Sequence, residues 1–177
     1  VKRDGISFIW MRGGEMITRG FPELTDAAAG LPDGTVLDGE ILPWKGGAPL
    51  PFDFLQKRIG RLSVNRTIVE EFPVSFMAFD LLESAGTDLR REPLRVRRAR
   101  LEGLLVPPGG QASLLLSPVL ADASWDDLTA RRRRCRELHA DGIMLKRIDS
   151  PYETGRHRRL VLRPVDAQFP DEVPYTL

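Results

Sequence analysis

Val36-Leu37-Asp38-Gly39-Glu40-Ile41-Leu42 places two carboxylates two residues apart, across a glycine, inside an apolar run. In a strand, residues two apart point to the same face. Asp38 and Glu40 then project together, and Gly39 lets a ligand approach the backbone between them. Two carboxylates on one face of a buried strand are costly unless something satisfies them. A divalent metal with a phosphate-bearing substrate is one solution. The other reading is structural, because Asp-Gly is also a common hairpin turn. The stretch alone does not choose between the two.

The elements around it are short and mixed. Residues 6–12 read as a strand ending in a turn at Gly13-Gly14, with Glu15 to Arg19 returning as a second strand. Pro22 opens a short helix that Gly30 and Pro32 stop. Asp33-Gly34 turns into the strand 35–42, and a Gly/Pro-rich loop spans Pro43 to Pro51. Phe52–Ile59 and Asn65–Glu71 read as helices. Val74 to Leu82 is a dense apolar run with one acid, Asp80, and predicts a buried strand. A helix runs from Glu92-Pro93 to about Leu105, with Leu94, Leu101, Leu104 and Leu105 inward and the arginines on the rest. Leu114–Leu116 is a short strand. Ser124 with Asp127 gives a capping-box pattern for a helix to about His139. Ile143–Lys146 and Leu160–Arg163 are the last strands. The order suggests α+β with largely antiparallel sheets.

Bulk properties exclude more than they identify. The chain has 177 residues, 42% hydrophobic and 29% charged, with a net charge of +1. That suffices for one domain with a real core. All but four of the 26 cationic side chains are arginine, a residue suited to bidentate phosphate contacts. The single cysteine, Cys135, rules out an internal disulfide framework, suits a reducing cytoplasm and reads as a packing residue. No apolar run reaches membrane-spanning length. His139 and His157 have no spacing that suggests zinc. Arg131 to Arg134 invite a DNA-backbone reading, but four in a row on a helix spread over more than one face, as a solvated surface does.

Four pieces carry the chemistry together: Arg12 at a strand end, Asp38-Gly39-Glu40, Phe76-Met77-Ala78-Phe79-Asp80, and Asp141-Gly142-Ile143-Met144-Leu145-Lys146. In this order they resemble the nucleotidyltransferase motifs of ATP-dependent DNA ligases. The flanks Arg19-Gly20-Phe21-Pro22-Glu23-Leu24, Gln56-Lys57-Arg58-Ile59-Gly60-Arg61 and Asp149-Ser150-Pro151-Tyr152 are similar to the adenylation domain of the bacterial enzymes. The resemblance implies an α+β fold of two antiparallel-rich sheets with flanking helices around a nucleotide cleft. It would be a single partial, ATP-grasp-like adenylation domain over residues 1–177, with no OB-fold domain. It further implies ATP and Mg2+ as cofactors, nicked double-stranded DNA as partner, and a cytoplasmic monomer without membrane contact.

The resemblance also assigns roles. Arg12 reaches the ribose or the 5′-phosphate of the nick, against the plainer reading of a solvated strand-end arginine. Glu40 lies near the metal or ribose, with Asp38 as a further metal contact. Phe79 stacks on adenine, or else is simply core. Asp141 holds a metal position where the family has glutamate. Lys146 contacts phosphates, or else snorkels to solvent.

Two departures matter. Lys2-Arg3-Asp4-Gly5 matches the first four positions of the family's Lys-x-Asp-Gly-x-Arg motif. Ile6 to Met11 nevertheless leads straight to Arg12, and Ser7 stands where the motif has arginine. The segment fits a hairpin turn better than a nucleophile strand, which puts the nucleophilic lysine upstream and leaves Lys2 as the alternative. The paired lysines of the family's last motif are also missing around Arg163-Pro164. The competing readings are a non-catalytic nucleotide-binding remnant and a related RNA ligase or RNA-capping enzyme.

Overall fold

The computed structural model describes residues 1–61, 63–105, 113–120, 124–140, 142–153 and 161–162. In chain order the elements are β1 (Lys2–Arg3), β2 (Ile6–Ser7), α1 (Pro22–Ala27), β3 (Val36–Lys45), β4 (Ala48–Pro49), α2 (Asp53–Gln56), α3 (Arg66–Glu71), β5 (Val74–Ser84), β6 (Thr87–Asp88), α4 (Leu94–Leu105), β7 (Leu114–Leu116), α5 (Trp125–Arg133), β8 (Ile143–Met144) and β9 (Val161–Leu162). The class is mixed α and β with mainly antiparallel pairing, as the sequence suggests. Among the described residues the strands form one five-stranded sheet and two two-stranded ladders. The large sheet runs β4-β3-β5-β6, with β7 added to β5 in parallel.

The antiparallel pair of β3 and β5 is the spine. Its register sets Asp38 opposite Asp80, then jumps so that Gly39 lies opposite Ala78. Phe79 is therefore the extra residue of a bulge, a device that re-aims side chains. A second register shift falls between Val36 and Leu37. The bulge at Phe79 explains why Ala78 and Leu81, three apart, both enter the core with Leu89 and Leu101. Asp38-Gly39 does not turn: β3 runs straight through it. Gly39 serves the fold rather than an approaching ligand. A Cβ there would lie 2.5 Å from the Met77 carbonyl oxygen and 2.6 Å from the Phe76 ring.

Several boundaries differ from the sequence reading. The strand expected over 6–12 is regular only at Ile6–Ser7, with one further bridge between Trp10 and Met16. The Thr18 hydroxyl accepts the Ile9 amide and diverts it from the ladder; Thr18–Gly20 then coils into a 3-10 turn. The loop expected from Pro43 is instead a hairpin, because Gly46 and Gly47 both take positive φ (62° and 83°) and let β4 return. The helix expected over 52–59 is regular only across α2. The helix expected to reach His139 ends at Arg133 and continues as a 3-10 segment, Cys135–Leu138. Asn65 and Ser124 cap α3 and α5 through their side chains, the second as the capping box predicted. Cys135 is buried with Leu128, Ile143 and Leu145.

Arg58, inside the Gln56–Arg61 flank, is fully buried. Its guanidinium donates to the carbonyls of Phe72 (2.8 Å) and Gly20 (2.7 Å) and to Glu23 Oε2 (2.9 Å). It lies 5.3 Å from the Phe21 ring centroid. One arginine thereby ties α1, the turn before it and the end of α3 together.

Candidate functional site

Asp80 is completely buried in the middle of β5. It is tolerable there because every side of the carboxylate meets a donor. Arg97 grips it bidentately, Nε to Oδ1 at 2.7 Å and Nη2 to Oδ2 at 3.0 Å. The Leu81 amide adds a bond at 3.0 Å, and Lys146 Nζ adds one to Oδ2 at 3.2 Å. Arg97 was expected among the exposed arginines of its helix. It is 1% exposed, because Asp80 needs a buried cation and α4 packs across β5.

Lys146 makes a second contact, with its ammonium 4.5 Å from the centroid of the half-buried Phe79 ring. This is cation–π geometry. Among the described residues Phe79 belongs to none of the three apolar core clusters, so the plain core reading does not hold for it. The bulge turns it toward Lys146 instead.

On the neighbouring strand Asp38 is half-buried, and its Oδ2 accepts the Tyr152 hydroxyl at 2.8 Å. The Tyr152 ring lies 5.9 Å from the Arg97 guanidinium. Burial, then the Asp38 hydrogen bond and the charges of Asp38 and Asp80, push the phenol up to about 12, with Arg12 opposing. The exposed Arg12 is thus close enough to be felt at Tyr152. Glu40, exposed, follows Asp38 by two residues on β3. The register shift between Asp38 and Gly39 is taken up by the extra residue Phe79 on β5, so the alternation of β3 itself continues and both carboxylates belong to one face. Asp141, Arg163, Pro164 and His157 lie outside the described residues.

The structure therefore gathers Asp38, Phe79, Asp80 and Lys146, with Arg12 near and Glu40 on the adjoining strand face. Lys2 stands apart. Asp4 and Gly5 form the β1–β2 turn with φ of 49° and 75°. The Lys2 side chain is buried and donates to the carbonyls of Gly5 (2.9 Å) and Ala29 (3.4 Å). Two members of the cluster carried no role in the sequence reading. Arg97 looks like any arginine of a charged helix. Tyr152 lies 114 residues from Asp38, a separation no periodicity bridges.

The raised phenol gives a pH expectation. The folded state holds the Tyr152 proton more tightly than the unfolded chain does, so this contribution is complete below about pH 10 and lost as pH rises through about 12. Urea midpoints measured from pH 9 to 12 should fall, and Tyr152→Phe should flatten that part of the fall. Tyrosinate absorbance should show the late-titrating group in the parent and not in the variant.

Comparison with known proteins settles the relationship. Residues 1–162 match the family described as "ATP dependent DNA ligase domain". The chain belongs to that family. It is 34% identical to a probable DNA ligase of Koribacter versatilis, over 92% of this chain and 32% of that protein. It is 35% identical to a DNA ligase of Haloferax volcanii, over 96% of this chain and 29% of that protein. The chain thus spans about a third of these ligases. Among solved structures it is similar to mycobacterial DNA ligase D complexed with ATP and MES, with a TM-score of 0.63 and 29% identity over 88% of this chain and 46% of that one. The ligase domain of M. tuberculosis LigD is similar with a TM-score of 0.60 and 28% identity, over 86% of this chain and 44% of that one.

A ligase relationship raises the question of a metal and a nucleotide. Mg2+ is held through one or two carboxylates plus substrate phosphates, rather than by an all-protein cage. Asp38 and Glu40 on one strand face suit that demand. Among the described residues no group of three or more His, Cys, Asp or Glu is gathered. No helix among the described residues is long and apolar enough to cross a membrane.

Proposed function

We propose that this chain is the nucleotide-binding part of a DNA ligase adenylation domain, with a nucleotidyltransferase fold, serving nick sealing on duplex DNA. The observation that carries this reading is the convergence of Asp38, Phe79 and Lys146, from three separate sequence motifs, on one buried polar cluster. Phe79 offers a half-buried ring for adenine. Lys146 and Arg12 offer cations for phosphate or ribose. Asp38 and Glu40, with Asp141 as a third carboxylate from its motif, would hold Mg2+, which when bound neutralises the phosphates. Phosphoryl chemistry of this kind depends on positioning and charge neutralisation, which are what such residues supply. The working protein acts in the cytoplasm as a monomer.

Lys2 is not the nucleophile in this reading. Its ammonium donates to two backbone carbonyls, those of Gly5 and Ala29.

Incubated with α-labelled ATP and magnesium, the chain should bind nucleotide without acquiring covalent label. Phe79→Ala should weaken binding about tenfold or more, the loss of one base–aromatic stack. Covalent label that Lys2→Ala abolishes would overturn the placement of the nucleophile. Absence of any Mg·ATP binding would favour the remnant reading, in which the fold persists without a working site.

A further inference from the structure

We propose that Tyr152 is a positioning residue: its hydroxyl fixes the Asp38 carboxylate in the orientation that meets the magnesium–phosphate part of a bound nucleotide. The proposal rests on the nucleotide-site reading above and goes beyond it, because it assigns a role to a residue that carries none in that reading.

A phenol has one proton to donate, and Tyr152 gives it to Asp38 Oδ2 at 2.8 Å. The acceptor is a carboxylate, so the bond belongs to the stronger charge-assisted class. Asp38 needs such an anchor. It sits directly opposite Asp80 in the register, where like charges repel. Arg97 and Lys146 attend to Asp80, while the tyrosine reaches across to Asp38.

Tyr152 is itself held firmly enough to impose an orientation. Its amide donates to the Arg90 carbonyl at 2.7 Å. Two residues earlier, the Ser150 carbonyl accepts the Leu94 amide at 2.9 Å and Arg97 Nη1 at 3.1 Å. The Ile148 carbonyl accepts the Arg95 amide at 2.9 Å. The strap from Lys146 to Tyr152 thus supplies carbonyls to the first amides of α4, groups that have no partner within the helix. Arg95 pairs with Asp149 along the same seam. One end of the strap, Lys146, lies against Phe79 and Asp80. The other end, Tyr152, lies on Asp38. The strap therefore joins the aromatic side of the cluster to its carboxylate side.

The test uses the whole 177-residue chain, titrated calorimetrically with Mg·ATP and, separately, with adenosine as a probe lacking phosphate and metal. Tyr152→Phe keeps the ring against Arg97 and removes only the hydroxyl. It should weaken Mg·ATP binding about tenfold, the order set by one hydrogen bond to a charged group, and leave adenosine binding within about twofold. Asp38→Asn should show the same selective loss, and the double variant should add nothing to it. An equal loss for both ligands would make Tyr152 merely structural and overturn the proposal. Unchanged Mg·ATP affinity in Tyr152→Phe would overturn it too. If Tyr152→Phe fails to fold, Asp38→Asn decides alone, and unchanged Mg·ATP affinity there overturns the proposal. A parent chain that binds neither ligand overturns the nucleotide-site reading itself, an outcome separate from a parent that binds and a variant that does not differ.

Discussion

Replacing Arg97 by methionine should cost about 3–5 kcal/mol of folding stability, enough to leave the chain largely unfolded under mild conditions. The reason is the carboxylate left behind. Asp80 is fully buried, and Arg97 supplies two of the hydrogen bonds that satisfy it. Lys146 would remain, at 3.2 Å and partly exposed, but a single ammonium cannot replace a bidentate guanidinium. Arg97→Lys should therefore recover only part of the loss. Removing both charges is a different experiment. Asp80→Leu with Arg97→Met takes away the carboxylate as well as its partner, and the pair should lose far less than Arg97→Met alone. Urea unfolding of the three variants and the parent reads this directly. A double variant that loses as much as Arg97→Met or more would show that the stranded Asp80 charge is not the cause of the loss. The double variant would also separate stability from binding: it should fold, yet bind Mg·ATP weakly, because Lys146 and Tyr152 lose the neighbours that place them.

The same cluster shows what the sequence could and could not reveal. β5 was legible because an apolar run of that density has few other places to go, and α3 and α5 because Asn65 and Ser124 are strong caps. Asp80 was visible as the single acid in the run, but its partner was not. Nothing in Leu94–Leu105 separates Arg97 from the arginines around it; only packing across β5 selects one residue to turn inward. The bulge at Phe79 was likewise hidden, since register between strands so far apart in sequence is set by the core contacts of both. The N-terminal strand was overread because alternating apolar residues predict extended backbone without saying whether a side chain such as Thr18 will intercept the ladder. The site was legible through its motifs, and those say which residues belong near a nucleotide. They do not say what holds them. Arg97 and Tyr152 do that work through contacts that have no local signature.

Gly39→Ala should destabilise the protein by about 1–3 kcal/mol, the usual range for forcing atoms into a packed interior, and toward the upper end of it. The added methyl would arrive 2.5 Å from a backbone oxygen of β5 and 2.6 Å from the Phe76 ring. A ring can turn aside, but the Met77 carbonyl belongs to the ladder and can move only if β3 and β5 separate. Gly13→Ala is the control, because a methyl there meets nothing within 4 Å. Gly103→Ala, also open and within α4, should even stabilise by about 0.5–1 kcal/mol, since glycine is a poor interior helix residue. The consequence for binding follows from the register. Gly39 faces Ala78, and the next residues along are Asp38 on one strand and the bulged Phe79 on the other. Separating the strands at that point moves the carboxylate and the aromatic ring apart, so Gly39→Ala should weaken Mg·ATP and adenosine together, unlike the selective loss expected for Tyr152→Phe. A variant that melts with the parent and binds both ligands normally would show that the sheet absorbs the methyl, and that the glycine between the two carboxylates is not what sets their distance from Phe79.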